Sequence, residues 1–209
     1  MLADSIVMLD FETTGLSPAA GDRITEVAAL RISGGEIVER FVTLINCGVR
    51  IPGHITQLTG ISQRMVDSAP PVSSVMPALL DFIGDAPLSA HNASFDLRFL
   101  IAESQRLQCS PRHRHLLCSL KLARRIFPGL HSYRLASLAT SRGIVFSGAA
   151  HRAEADAEVS ARLLLDIGGH LACAYGVPAI DSAILARANE LSAAKVPAYL
   201  QAALAHRAA

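Results

Sequence analysis

The segment LDFETTGL puts Asp10 and Glu12 two residues apart, directly behind the apolar run SIVM. Side chains two apart on a strand share a face, so both carboxylates stand where the pattern calls for hydrocarbon. An unpaired buried carboxylate is costly, and a second one nearby repels the first. A positive charge between them resolves the conflict. Two further acids sit alone in apolar company: Asp96 in SAHNASFD and Asp156 in HRAEADAEVSARLLL, with His151 five residues before Asp156. Five residues of helix rotate a side chain by about 140°, so His151 belongs on the loop entering the helix, free to swing toward Asp156. Four hard oxygen donors call for Mg²⁺ or Mn²⁺, since zinc prefers Cys and His.

The elements that must position these acids are legible in outline. Residues 5–11 read as a buried strand. RITEVAALRI (23–32) and EIVERFVTLI (36–45) flank Gly34-Gly35, a hairpin signal that predicts a three-stranded antiparallel meander. PPVSSVMPALLDFIG reads as a helix with Ser73 or Ser74 as N-cap and Gly84 as its stop. APLSA is a short strand, NASFDLRFLIAESQRL an amphipathic helix, and HLLCS (115–119) another short strand. Helices follow around 119–127 and 134–142, broken by Pro128-Gly129, and one long helix runs from Ala153 to about Tyr175. This order predicts an α/β fold: a mixed sheet, the meander plus two parallel strands, with flanking helices. Residues 1–175 would form that domain. Residues 176–209, Ala-rich and punctuated by Pro178 and Pro197, would form a helical C-terminal appendage.

Composition narrows the function classes. Of 209 residues 51% are hydrophobic and 18% charged, enough for a sizeable core and against disorder. No stretch approaches the ~18–20 apolar residues of a membrane span, so no membrane partner is expected. Cys47, Cys109, Cys118 and Cys173 are scattered, which suits a reduced, cytoplasmic chain. The net charge of +1 hides an asymmetry: residues 104–153 hold nine Lys/Arg and no acid, between acidic flanks. Such a segment reads as a patch for a polyanion.

Taken together, DFETTG, HNASFD and HRAEAD resemble the three motifs of the DnaQ-like, or DEDDh, 3′–5′ exonucleases, the family of the proofreading epsilon subunits of bacterial DNA polymerase III. Each alone is weak. In this order, over residues 5 to about 170, with IPGHITQLTGIS between the first two as in replicative proofreaders, they are specific. The resemblance implies a ribonuclease H-like fold and two-metal phosphodiester hydrolysis with two Mg²⁺ or Mn²⁺. Asp10 would bridge both ions, Glu12 and Asp156 would hold one, and Asp96 would complete the second. His151 would be the general base, imidazole being the side chain suited to proton transfer near neutral pH. Thr13, Thr14 and Gly15 would hold the terminal 3′-hydroxyl through backbone N–H groups. Leu16 would wedge between the last two bases, and Phe95 and Asn92 would contact the terminal nucleotide. Thr59 departs from the family, standing where many epsilon subunits carry a histidine.

The implied substrate is single-stranded nucleic acid, DNA favoured over RNA, in proofreading or repair. An exoribonuclease of the same chemistry and a catalytically idle binding module are the alternatives. Arg124, Arg125 and the pair Tyr133-Arg134 are the expected phosphate contacts. Docking on a DNA polymerase, or pairing of two copies, stays open: the tail carries no Gln-initiated hydrophobic clamp-binding motif. CSPRHRHLLC offers Cys109, His113, His115 and Cys118, but their spacing matches no common zinc module, and a basic loop with a core cysteine is the better reading.

Overall fold

The structure, a computed structural model, describes residues 1–145 and 151–205; part of the basic stretch and the last four residues of the expected appendage lie outside that range. Five strands and nine α-helices follow in chain order among the described residues: β1 (Ile6–Thr13), β2 (Ile24–Ser33), β3 (Glu36–Leu44), α1 (Gly53–Thr59), α2 (Gln63–Asp67), α3 (Val72–Ile83), β4 (Leu88–Ala90), α4 (Ser94–Arg106), β5 (Leu116–Cys118), α5 (Ser119–Ile126), α6 (Leu135–Ser141), α7 (Ala153–Tyr175), α8 (Ser182–Glu190) and α9 (Val196–Leu204). The sheet order is β3-β2-β1-β4-β5, with β1, β2 and β3 antiparallel and β4 and β5 parallel to β1. This is the mixed sheet that the sequence predicts. β1 extends to Thr13, beyond the expected Phe11, so Glu12 lies inside the ladder opposite Glu26 of β2.

β1 is central and covered on both faces, which explains why its apolar run barely alternates. Ile6 and Met8 point to the layer of α5 to α9; Val7, Leu9 and Phe11 point to α3 and α4. Against the first face α7 presents Ala153, Ala157, Ala161 and Leu164, a stripe at helical spacing whose small residues let the helix approach closely. That approach brings the start of α7 over the end of β1.

Two expectations are corrected. The N-cap of α3 is Pro71, not Ser73 or Ser74, and the Ser74 hydroxyl donates back to the Pro71 carbonyl at 2.9 Å. IPGHITQLTGIS, read only as a motif, forms α1 and ends on Ser62, the N-cap of α2, and Gly60 closes α1 with a left-handed φ of 72°. Thr59 is buried there: its hydroxyl donates to Ile55 O at 2.9 Å and accepts from the N–H of Ile61 at 3.1 Å.

The residues expected as an appendage share the domain's core. Ile180, Leu185, Val196, Leu200 and Leu204 belong to the same apolar cluster as Ile6, Met8 and Leu164. The Asn189 side chain satisfies β5, the edge strand: its Oδ1 accepts the N–H of Cys118 at 2.6 Å and its Nδ2 donates to Cys118 O at 3.3 Å. An edge covered in this way is no longer a template for strand pairing.

Candidate active site

Asp10 and Glu12 continue the row of Ile6 and Met8 on the α7 side of β1. Asp156 comes from the first turn of α7. One ligand oxygen from each of Asp10, Glu12 and Asp156 lies within 4.8 Å of the others, the one such group of His, Cys and acidic residues among the described residues. Asp96, buried in the first turn of α4, accepts the N–H of Phe11 at 3.2 Å, one residue from Asp10. All four acids expected to converge do so at one end of the sheet.

Burial, with mutual repulsion, raises the proton affinity of the four carboxyl groups. Burial, with Asp96, Asp156, Glu12 and Glu26 adding their charges, pushes Asp10 well above the usual carboxylate range. Burial, then Asp156 and Glu26, lifts Glu12 to about 7. Burial lifts Asp96 to about 8, and it raises Asp156 as well. Left to itself the cluster holds protons at neutral pH. An all-carboxylate donor set in that condition suits a hard divalent cation, which neutralises the charge that burial penalises.

His151 stands on the loop before α7, as expected, but its contact differs. Its main-chain N–H, not its ring, reaches Asp156 Oδ2 at 3.1 Å, and its φ of 61° is rare for a residue with a Cβ. The exposed side chain lines an open groove of about 750 Å³ with Asp156, Asn92, Arg124, Tyr133 and Arg134. His91 edges the same groove with Nδ1 2.9 Å from the Ser119 hydroxyl, and burial, aided by Arg124, lowers it to about 4.

The loop after β1 needs correction in detail. The N–H of Thr14 is occupied by the Arg23 carbonyl at 2.9 Å, and its hydroxyl accepts the Arg23 N–H at 3.0 Å, so Thr14 cannot offer that N–H to a 3′-hydroxyl. The Thr13 hydroxyl donates to Gly15 O at 2.6 Å. Gly15 permits close approach, but of Asp22: a Cβ at 15 would run into that carboxylate, which accepts the N–H of Ser17 at 2.9 Å. Leu16 is 78% exposed at the tip of this loop. Phe95 is half-buried against Phe99, ring centroids 5.1 Å apart.

Arg124 and Arg125 separate. Arg124 faces the groove, whereas Arg125 donates to the carbonyls of Lys121, Asn189 and Leu191, tying α5 to the end of α8. Arg125 is therefore withdrawn as a strand contact. The Cys/His cluster does not gather either: Cys109 Sγ contacts Ser104 O at 3.3 Å, and Cys118 lies in β5.

The arginine partners of two buried acids were not legible in the sequence. Buried Glu103 of α4 takes Arg23 at 2.6 and 3.0 Å and Arg106 at 3.0 Å, anchoring the Thr14 loop to the helix that carries Asp96. Buried Glu26 holds Arg152, next to His151. The signal in both was a lone acid inside an apolar segment.

Comparison with known proteins agrees with this geometry. The family model described as Exonuclease, named for RNase T, matches residues 7–164. The chain is 34% identical over 177 residues to the DNA polymerase III subunit epsilon of Aquifex aeolicus, covering 85% of this chain and 87% of that one. It is 38% identical over 161 residues to the 3′-5′ exonuclease DinG of Bacillus subtilis, spanning 17% of that longer protein. Among solved structures, Exonuclease X in complex with 5′ overhanging duplex DNA superposes with a TM-score of 0.62 at 29% identity, covering 78% of this chain and 90% of that one. Four carboxylates at the end of a ribonuclease H-like sheet and a family match over most of its length have one reading: the chain belongs to the RNase T exonuclease family.

Proposed function

We propose that the protein is a 3′–5′ exonuclease that uses two Mg²⁺ or Mn²⁺ ions to release nucleoside monophosphates from the 3′ end of single-stranded DNA, in proofreading or repair. The observation that carries this reading is the convergence of Asp10, Glu12 and Asp156 within 4.8 Å, with Asp96 beside them. Similarity to an epsilon subunit over most of both chains supports the proofreading or repair role and a polymerase as partner. Four free cysteines, and no helix among the described residues long and apolar enough to cross a membrane, suit a cytoplasmic setting.

Bound cations would supply a nucleophilic hydroxide at neutral pH and stabilise charge on the leaving oxygen. The protein's own residues do the rest. Asp10 groups with Glu12 and Asp156 and also feels the charge of Asp96, so it is the carboxylate that would be shared by two ions. His151 takes the proton from the attacking water, on the open side of Asp156 where solvent can carry it away. Leu16, bare at the loop tip, inserts beneath the terminal base, and Asn92 and Phe95 flank that nucleotide. Thr13 and Gly15 shape the loop that receives the 3′-hydroxyl.

The deciding experiment compares Mg²⁺-dependent shortening of a single-stranded DNA and an RNA of the same sequence, each labelled at its 5′ end. DNA should be shortened stepwise from its 3′ end, faster than RNA, and EDTA should stop the reaction. Activity that survives EDTA would remove the metal mechanism. Faster RNA cleavage would move the function to an exoribonuclease.

Arg124 is the expected cationic contact for phosphates upstream of the cut. Arg124→Ala should raise KM and flatten the log–log salt dependence by about 0.7 per lost contact, with kcat close to wild type. Arg125→Ala should leave the salt slope alone and lower Tm, since its guanidinium binds carbonyls of the fold. An equal salt effect in both variants would place the strand elsewhere.

A further inference from the structure

Glu26 lies buried on β2, directly opposite Glu12 in the ladder. Its carboxylate receives Arg152 Nη2 at 2.5 Å, Arg152 Nε at 3.1 Å and the main-chain N–H of Ala153 at 3.0 Å. The first N–H groups of a helix have no partner within it, and α7 has no side-chain cap of its own, Arg152 standing at the N-cap position. The cap arrives instead from a neighbouring strand. On the far side of Arg152, the His151 N–H is bound by Asp156 at 3.1 Å in a left-handed conformation. Residues 151–153 are thus held by two carboxylates, Asp156 through His151 and Glu26 through Arg152 and Ala153.

This arrangement is expensive for a cap. Glu26 is close enough to add its negative field to Asp10 and Glu12, which already repel. A local Ser, Thr or Asp at position 152 would cap the helix without reaching across the sheet. What the long-range pair provides, and a local cap does not, is a fixed link between the sheet that carries Asp10 and Glu12 and the residue adjoining His151.

We infer that the Glu26–Arg152 ion pair is a positioning device that holds His151 over the carboxylate cluster. The inference rests on the exonuclease reading and on His151 as its base. Asp156 depends on the pair less, because it lies within α7, whose alanine stripe seats it on the sheet. His151 lies outside the helix, attached through Arg152.

The test uses the full chain, single-stranded oligothymidylate and saturating Mg²⁺. Glu26→Gln keeps the size but loses the charge; Arg152→Gln loses the fork, and Arg152 is half-exposed, so that variant is the safer to fold. Each should lower kcat by about 10- to 100-fold with KM within about threefold of wild type, and Arg152→Lys should recover part of the loss. In a His151→Asn background, Arg152→Gln should change kcat by less than about threefold, because residues that act as a unit are not additive. In the metal-free protein, amide hydrogen exchange at 151–153 should quicken in Arg152→Gln while β2 stays protected. A wild-type rate in Arg152→Gln, or the same loss with and without His151, overturns the inference while leaving the nuclease intact. A wild-type chain without Mg²⁺-dependent hydrolysis overturns the proposed function, and this inference with it.

Discussion

Asp10→Asn is expected to reduce turnover to the assay background while the protein folds at least as well as wild type without metal. The substitution keeps volume and shape and removes one charge from a group of four acids. Activity falls because Asp10 meets the charges of Asp96, Asp156 and Glu12 together and, in the proposed mechanism, is the ligand that two ions would share. Stability moves the other way. Glu12 at about 7 and Asp96 at about 8 hold protons in the folded chain that the unfolded chain, with ordinary carboxylates near 4, has released. The folded state therefore binds more protons across that interval, and metal-free stability falls as pH rises from about 4 to about 8. Asp10→Asn removes part of the repulsion behind this fall, so its Tm in EDTA should exceed wild type by most at pH 8. Mg²⁺ should raise the wild-type Tm more at pH 8 than at pH 5, because ions and protons compete for the same oxygens, and should raise the variant's Tm less. Thermal unfolding at the two pH values, with EDTA and with Mg²⁺, reads all of this. A variant that turns over normally would remove Asp10 from the centre, and a metal-free Tm that climbs toward pH 8 would contradict the crowded-acid picture.

The four acids were legible in the sequence because burial makes a lone carboxylate conspicuous. Asp10 and Glu12 interrupt a strand that has hydrocarbon on both faces, and Asp156 interrupts the alanine stripe of α7. The three motifs added their order. Glu26 sits in ITEVAALRI under the same kind of conflict, yet its role was hidden. Its partner is Arg152, far along the chain, and its place opposite Glu12 depends on strand register, which neighbouring residues do not specify. The expectation for Arg125 failed for a related reason. Adjacent helical residues point about 100° apart, and which one faces substrate depends on where α8 packs. Read as an appendage, α8 gave no reason to expect its carbonyls at Arg125. The α1–α2 segment was missed because helices of seven and five residues carry little periodicity.

The strain at His151 makes the choice of substitution matter. His151→Asn is expected to lower kcat by about 10²–10⁴, the usual share of a general base. Alanine at φ 61° would add a backbone penalty to the loss of the ring and confuse the two. Asparagine adopts the left-handed region more readily, so it should keep the N–H bond to Asp156 Oδ2 while offering no proton acceptor of comparable basicity. Two quantities should stay near wild type. Affinity for single-stranded DNA measured in EDTA should persist, because Leu16, Phe95 and Arg124 remain. The Mg²⁺ concentration for half-maximal rate should persist as well, because His151 contributes no oxygen to the Asp10, Glu12 and Asp156 group. A loss confined to kcat is the signature of an interaction made only in the transition state. Loss of Mg²⁺ affinity in His151→Asn would mean that the loop's first duty is to hold Asp156. A fully active variant would transfer the proton to another acceptor and end the case for His151.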